Sequence, residues 1–203
     1  MDSPVRLLGS RAMTVMAAPE QRRRDARDNR EAILEAARAL FADSADVAMC
    51  QVARRAGVGQ ATLYRNFPSR GALAAEILNG SVDRIAALAA EHTGQADAFF
   101  VILRGLIDSM VNLYGVAVLA RRDAEADAHL EDSRQRIREL LKEPLCDAKA
   151  AGTLRRDISI DDVFLMLAMG RGGMEGLADS AARSAVAHRV LALILGGIQQ
   201  PGA

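Results

Sequence analysis

The chain has 203 residues, half of them apolar, with only 3 % aromatics and no tryptophan, which is enough apolar material for one substantial core. Its 26 basic and 26 acidic side chains cancel, and this excludes a protein that holds nucleic acid by bulk positive charge. Cys50 and Cys146 lie 96 residues apart and His92, His129 and His188 are scattered. That spacing suits neither a disulfide framework nor a metal site, so a reduced, cytoplasmic protein without metal or cofactor is expected.

The charge is nonetheless unevenly placed. Residues 1–70 hold 12 Arg, no Lys and 8 acids, net +4, whereas residues 71–203 hold 14 Lys and Arg against 18 acids, net −4. A basic N-terminal module on an acidic body fits phosphate contact made at one end. Uninterrupted apolar runs fall well short of the ~18 residues that read as a membrane span, so no membrane partner is expected.

Residues 1–24 carry Arg6, Arg11 and Arg22–Arg24 without a continuous apolar stretch. They read as a disordered basic leader and not as a signal peptide, with Met13 and Met16 as alternative starts. Asp28 followed by Glu31 suggests the start of a first helix. Ile33, Leu34, Ala37, Leu40 and Phe41 then share one helical face that ends near Ala42. A second short helix over 49–56 turns Met49, Val52, Ala53 and Ala56 inward, and a third over 60–66 does so with Leu63 and, just past its end, Phe67. Gly57-Val58 lies between the two. Short helices joined by a glycine-containing turn form a helix-turn-helix, which sets its second helix in the DNA major groove. Residues 25–70 are therefore expected to form a DNA-binding domain.

Ser69 caps a long helix that reaches about His92, where Gly94 interrupts it. Residues 96–115 predict a strongly apolar helix, 116–128 are ambiguous, and a helix from about 129 bends or restarts at Pro144 and ends at Gly152. Ser159 and Asp162 cap a helix over 160–177 whose run Val163–Met169 is apolar all round, and a last helix covers 181–197. The fold class is all-α, about nine helices, with an N-terminal three-helix DNA-binding domain followed by a C-terminal helical bundle over residues 71–203.

The block Arg30–Leu73 contains IL-x-AA-x-x-LF, A-x-x-AGV, TLY-x-x-F and P-S-R-x-x-L in order, and G-x-LR-x-D-I follows at Gly152–Ile158. In these motifs and in helix count the chain resembles the TetR (tetracycline-repressor-type) transcriptional regulators. The resemblance implies that Gln60, Ala61, Thr62, Tyr64 and Asn66 face DNA and that Arg70 takes the phosphate contact usually made by Lys. Chemistry suits these roles. Gln can hold adenine through two hydrogen bonds and a Thr methyl can touch that of thymine, while Tyr64, Arg27 and Arg70 can meet phosphate. The chain departs from the family at Ala48-Met49-Cys50-Gln51, where a Ser or Thr cap and acids are usual. Losing that cap costs about 1 kcal/mol, although Gln51 can reach back to the backbone. The preceding turn, Ser44-Ala45-Asp46, also lacks the customary Gly.

The resemblance further implies a dimeric repressor released from a pseudo-palindromic, double-stranded operator by a small-molecule effector held in the C-terminal bundle. Phe99, Phe100, Leu103, Met110, Tyr114, Phe164, Met166 and Met169 are candidates to line that site. The scarcity of charge within their stretches suggests a small or mainly apolar ligand. Homodimerisation is expected through the last two helices, because a helix apolar all round needs a second partner surface. A ligand-independent regulator or activator with the same head is the alternative, and a helical-bundle enzyme or carrier a remote one. No catalytic triad, paired-carboxylate site or cofactor fingerprint is present. Cys50, in the first turn of its helix, admits a redox role against the plainer one of a half-buried filler. Gly170, Gly172, Gly173 and Gly176 follow no strand and precede no Lys-Ser/Thr, so they point to close packing or a break in the helix and not to a phosphate loop. Glu125, Asp127 and His129 read as a solvated stretch.

Overall fold

The computed structural model describes residues 19–42, 44–177 and 179–199, which form nine α-helices among the described residues. The first, α1 (Pro19–Phe41), begins at a proline, whose fixed φ and missing N–H suit the first helical position. Asp28 therefore lies inside the helix and does not cap it. The polar turns ahead of it are knitted by pairs such as Gln21 Nε2 donating to Asp25 Oδ1 at 2.9 Å. Residues 19–24 belong to α1 and not to a leader, while residues 1–18 lie outside the described residues.

Helices α2 (Met49–Arg55) and α3 (Gln60–Asn66) follow within the bounds that their apolar spacing predicts. Ala48 offers α2 no capping oxygen, yet Gln51 Oε1 accepts the Ala48 N–H at 2.9 Å, the half of a capping box that needs no hydroxyl. Ser44 Oγ accepts the Asp46 N–H at 3.1 Å and so braces the turn that lacks glycine.

Helix α4 (Arg70–Glu91) opens at Ser69, whose Oγ accepts the Ala72 N–H at 2.9 Å. Two elements differ from the periodicity. The apolar segment after Gly94 is two helices, α5 (Ala98–Asn112) and α6 (Tyr114–Ala120), bent by 72° at Leu113. Next, α7 (Ala124–Ala150) starts five residues before 129 because Asp123 Oδ1 caps the Ala126 N–H at 3.1 Å, and it runs unbroken through Pro144. Leu141, Leu145 and Ala148, buried on either side of the proline, keep it in one piece. Its end fits the forecast, with Gly152 at φ +73° letting the Thr153 N–H reach the Ala148 carbonyl at 3.0 Å. Helix α8 (Ile160–Gly173) is shorter than 160–177, and α9 (Ser180–Ile198) closes the chain. Gly170 and Gly173 admit close packing, since a Cβ at either would stand 3.3–3.4 Å from Val190 or Val186 of α9.

Burial divides the interior in two, and the division does not fall at residue 70. One core joins Ile33, Phe41, Val52, Leu63 and Phe67 to Leu73 and Ile77 of α4 and Val116 and Ala120 of α6. The other joins Phe99, Leu103 and Ile107 of α5 to Leu141, Val163 and Leu191. The bend at Leu113 thus carries the chain out of the bundle core and into the core of the head.

The end of α1 is clasped there. A Cβ on Gly115 would stand 2.0 Å from the Phe41 carbonyl oxygen and 2.9 Å from the Ser44 carbonyl carbon, so only glycine lets α6 approach this closely. From α9, the buried Arg183 donates through Nη2 to the Ala42 carbonyl at 2.7 Å and through Nη1 to that of Leu177 at 3.0 Å. Its guanidinium also lies 5.0 Å from the centre of the Tyr114 ring. Because both neighbours of Gly115 are backbone, Gly115→Ala is expected to cost about 1–3 kcal/mol. Its thermal midpoint should fall by roughly 2–12 °C, given ~2–4 °C per kcal/mol for a chain of this size. An unchanged midpoint in calorimetry would refute the close approach.

Candidate functional site

The head presents α3 by burying its other side. Leu63 is fully buried and Phe67, just past the helix, is 2 % exposed, which turns Gln60, Ala61, Tyr64 and Arg65 outward. The turn ahead of it is closed by backbone hydrogen bonds. Gly57, at φ +69°, allows the Val58 N–H to reach the Ala53 carbonyl at 3.0 Å and its own N–H to reach that of Arg54 at 3.3 Å. Tyr64 is 49 % exposed, unusual for an aromatic side chain in a protein this poor in them.

The seven residues expected at DNA are not equally placed. Gln60, Ala61 and Tyr64 are exposed, as is Arg27 on α1, which lies 3.9 and 4.0 Å from Asp28 and Glu31. Thr62 is half-buried and its Oγ1 accepts from Arg65 Nη2 at 3.0 Å. Asn66 folds back, its Nδ2 donating to the Thr62 carbonyl at 2.9 Å. Arg70 is also turned inward, with Nη2 bonded to the Ala45 carbonyl, so it braces the loop ahead of α2 instead of projecting to solvent. Arg54, Arg55 and Arg65 are exposed beside the turn and are absent from the expected set. Their place in the last turn of α2 and on the open face of α3 was the available signal.

A cavity of about 370 Å³ lies in the bundle, a size at the lower end for ligand sites. Leu78, Val82 and Ile85 of α4 form one wall and Leu106 and Met110 of α5 another; α7 contributes Ile137 and α8 contributes Phe164 and Leu167, with Tyr114 at the head of α6. Of the eight residues expected to line a ligand site, Met110, Tyr114 and Phe164 do. Phe99 and Leu103 are buried in the bundle core, and Phe100 packs at the edge of Phe99 with ring centres 5.3 Å apart. Phe164, Leu167 and Arg171 share one face of α8, so Met166 and Met169 are rotated off it, Met169 to 66 % exposure. The lining is also less apolar than expected, because Glu131, Arg134, Arg138 and Arg171 contribute to it. Glu131, Arg134 and Arg138 stand in a charged stretch of the sequence, which resembles a solvated face until the helices are assembled, and Arg171 stands alone in an apolar, glycine-rich run.

Among the described residues no group of three or more His, Cys, Asp or Glu is placed to hold a metal ion, and the side chain of Glu125 lies outside those described. Cys50 and Cys146 are exposed free thiols, so Cys50 is not the half-buried filler of the plainer reading.

The comparisons with known proteins agree with this geometry. Residues 33–77 match the profile of bacterial regulatory proteins of the tetR family, and residues 94–200 match the C-terminal domain of SbtR-like transcriptional regulators. A TetR transcriptional regulator from Streptomyces coelicolor is 32 % identical, covering 85 % of this chain and 99 % of that one, with a TM-score of 0.65. A TetR regulatory protein from Mycobacterium vanbaalenii is 28 % identical over 87 % of this chain and 98 % of its own, with a TM-score of 0.64. No curated protein matches the chain. The chain belongs to the TetR family of DNA-binding transcriptional regulators.

Because Arg70 holds the loop before α2, Arg70→Ala should cost about 1–2 kcal/mol in chemical denaturation through an abandoned carbonyl. Stability equal to that of the wild type would return the guanidinium to solvent.

Proposed function

We propose that the chain is a cytoplasmic, homodimeric repressor that reads a pseudo-palindromic operator through α3 and is released by a small molecule held in the bundle cavity. The observation that carries the reading is the position of α4. It begins at Ser69, just after α3, its first half lies in the core of the head, and its second half walls the cavity. A ligand that binds one setting of α4 better than another shifts the pair of recognition helices accordingly, and one without that preference shifts nothing.

Gln60 and Thr62 are the base-reading candidates. Tyr64 and Arg27 are assigned to phosphate, and the exposed Arg54, Arg55 and Arg65 join them. Asn66 and Arg70 keep secondary places, since both side chains are held by backbone carbonyls.

Support for the dimer comes from uncovered apolar surface on the last two helices. Leu165 and Met169 of α8 and Leu193 of α9 are 59–66 % exposed, and Ala185, Ala192 and Gly196 share the face of Leu193, where small residues permit close helix contact. Over 19 residues α9 has the length and hydropathy of a membrane span, yet it carries the buried Arg183 that hydrogen-bonds to the head. A symmetry-related copy is therefore the better cover for its apolar side.

Footprinting on the DNA flanking the protein's own gene tests the reading, with and without a metabolite panel. A protected pseudo-palindrome that loses protection with one compound is the expected result. Protection that no compound relieves would favour a ligand-independent regulator, and no specific protection would defeat the proposal. Gln60→Ala should relax selectivity at one base pair of each half-site, a discrimination of about 1–3 kcal/mol, and unchanged operator selectivity would remove Gln60 from base reading. Leu193→Arg should convert the dimer to monomers in sedimentation and abolish tight operator binding. A dimer that survives the charge would move the interface elsewhere.

A further inference from the structure

Resting on the reading of the bundle cavity as the effector site, we infer that its ligand is an amphipathic organic acid, with an apolar body between α4, α5 and α7 and a carboxylate bound by Arg171. Three guanidinium groups line the cavity, and two of them are already matched. Arg134 Nη1 meets Glu131 Oε2 at 3.0 Å, and Arg138 Nη1 meets Asp161 Oδ1 at 2.5 Å while its guanidinium lies 4.4 Å from the centre of the Phe164 ring. The half-buried Arg171 has no such match. Among the described residues its guanidinium makes no ion pair and no hydrogen bond.

Arginine does not shed its proton, so a partly desolvated guanidinium beside other cations favours a counter-charge and hydrogen-bond acceptors. Burial pushes Arg171 below the ordinary arginine value, and repulsion from Arg121 and Arg134 adds to it, opposed by Glu175 and Tyr114. A carboxylate answers each of these demands, and the planar fork of Arg can hold it through two parallel hydrogen bonds.

Position specifies where the acid group sits. Arg171, Tyr114 and Ala168 line both the main cavity and a neighbouring one of about 310 Å³, whose other residues include Arg121, Arg122 and Glu175. Arg122 is held by Asp46 at 3.0 Å, which leaves Arg121 and Arg171 as the cations at this shared wall. Leu78, Val82, Leu106 and Ile137 supply apolar lining to the main cavity. Ser133 adds an Oγ that is buried, lines the cavity and has no hydrogen-bond partner, so the site holds a polar atom that an apolar filler would also leave unmatched. A neutral apolar ligand leaves Arg171 in the same state as an empty site, and a cationic one meets a lining with more arginines than carboxylates.

Calorimetric titration of the full chain with straight-chain monocarboxylates from hexanoate to tetradecanoate, their methyl esters and the matching alkylamines tests the inference. At least one acid should bind, with its ester weaker by about tenfold or more, the factor expected for a hydrogen bond to a charged group. Arg171→Gln should erase that preference by weakening the acid and sparing the ester. Esters or amines that bind as well as acids in the wild type, no acid that binds, or an Arg171→Gln variant that keeps the full preference would each overturn it. The wild-type comparison stands even where the variant does not fold. Anisotropy of the footprinted operator, followed in parallel, separates the two layers. Acids that bind through Arg171 without releasing DNA sustain the ligand class and defeat the release mechanism. Neutral compounds that release DNA where acids do not sustain release and defeat the ligand class.

Discussion

The hydrogen bond from Arg183 to the carbonyl of Ala42 spans 141 residues of sequence and joins the last helix to the end of the first. Arg183 is the one charged side chain that is buried among the described residues, at 1 % exposure. Placing a guanidinium there is costly unless its donors are satisfied. The Ala42 carbonyl it meets lies at the C-terminal end of α1, where partial negative charge gathers and a cation is favourable. The same group faces the Tyr114 ring, and the next residue, Gly115, lies against the Phe41 carbonyl. The end of α1, the start of α6 and the first turn of α9 are thereby fixed as one unit.

This unit gives the head its reference point. Two cores meet across it, and α4 runs through both, tied to α1 by Arg30 and Glu76 at 2.8 Å and to α7 by Arg136 and Asp83 at 2.7 Å. Tyr114 is where the fixed point touches the cavity. Under the proposed reading, a ligand displacing its ring would act on α6 and on the Arg183 bond together, and the same ligand would press on α4 directly. Two contacts into one head make a physical basis for coupling, because packed elements with discrete arrangements carry it better than a soft chain would.

Much of the head was legible in the sequence because its signals are local. Leu63 and Phe67 are spaced to bury one side of α3, Gly57 suits the left-handed position that closes α2, and Ser69 caps α4; each of these depends on residues within a few positions. The bend at Leu113 was not legible, since α5 and α6 are both apolar and only their separate cores distinguish them. Asp123 as the cap of α7 was hidden by the charged run that follows Arg121. Of the eight ligand candidates Met110, Tyr114 and Phe164 border the cavity and five do not, for a related reason. Apolar periodicity identifies inward faces, yet it does not separate residues such as Phe99 and Leu103, which fill the core, from Met110 and Phe164, which border a cavity. The arginines of that cavity were missed because Arg134, Arg138 and Arg171 acquire their surroundings only from tertiary packing.

Native-state hydrogen exchange on Arg183→Met, an apolar side chain of similar length that leaves the Ala42 carbonyl without its donor, reads the role of this tie most directly. The account predicts faster exchange of the amides from about Arg38 to Val47, with the amides of α5 and α7 as protected as in the wild type. Exchange that is unchanged around the end of α1, or raised evenly through all nine helices, would contradict it.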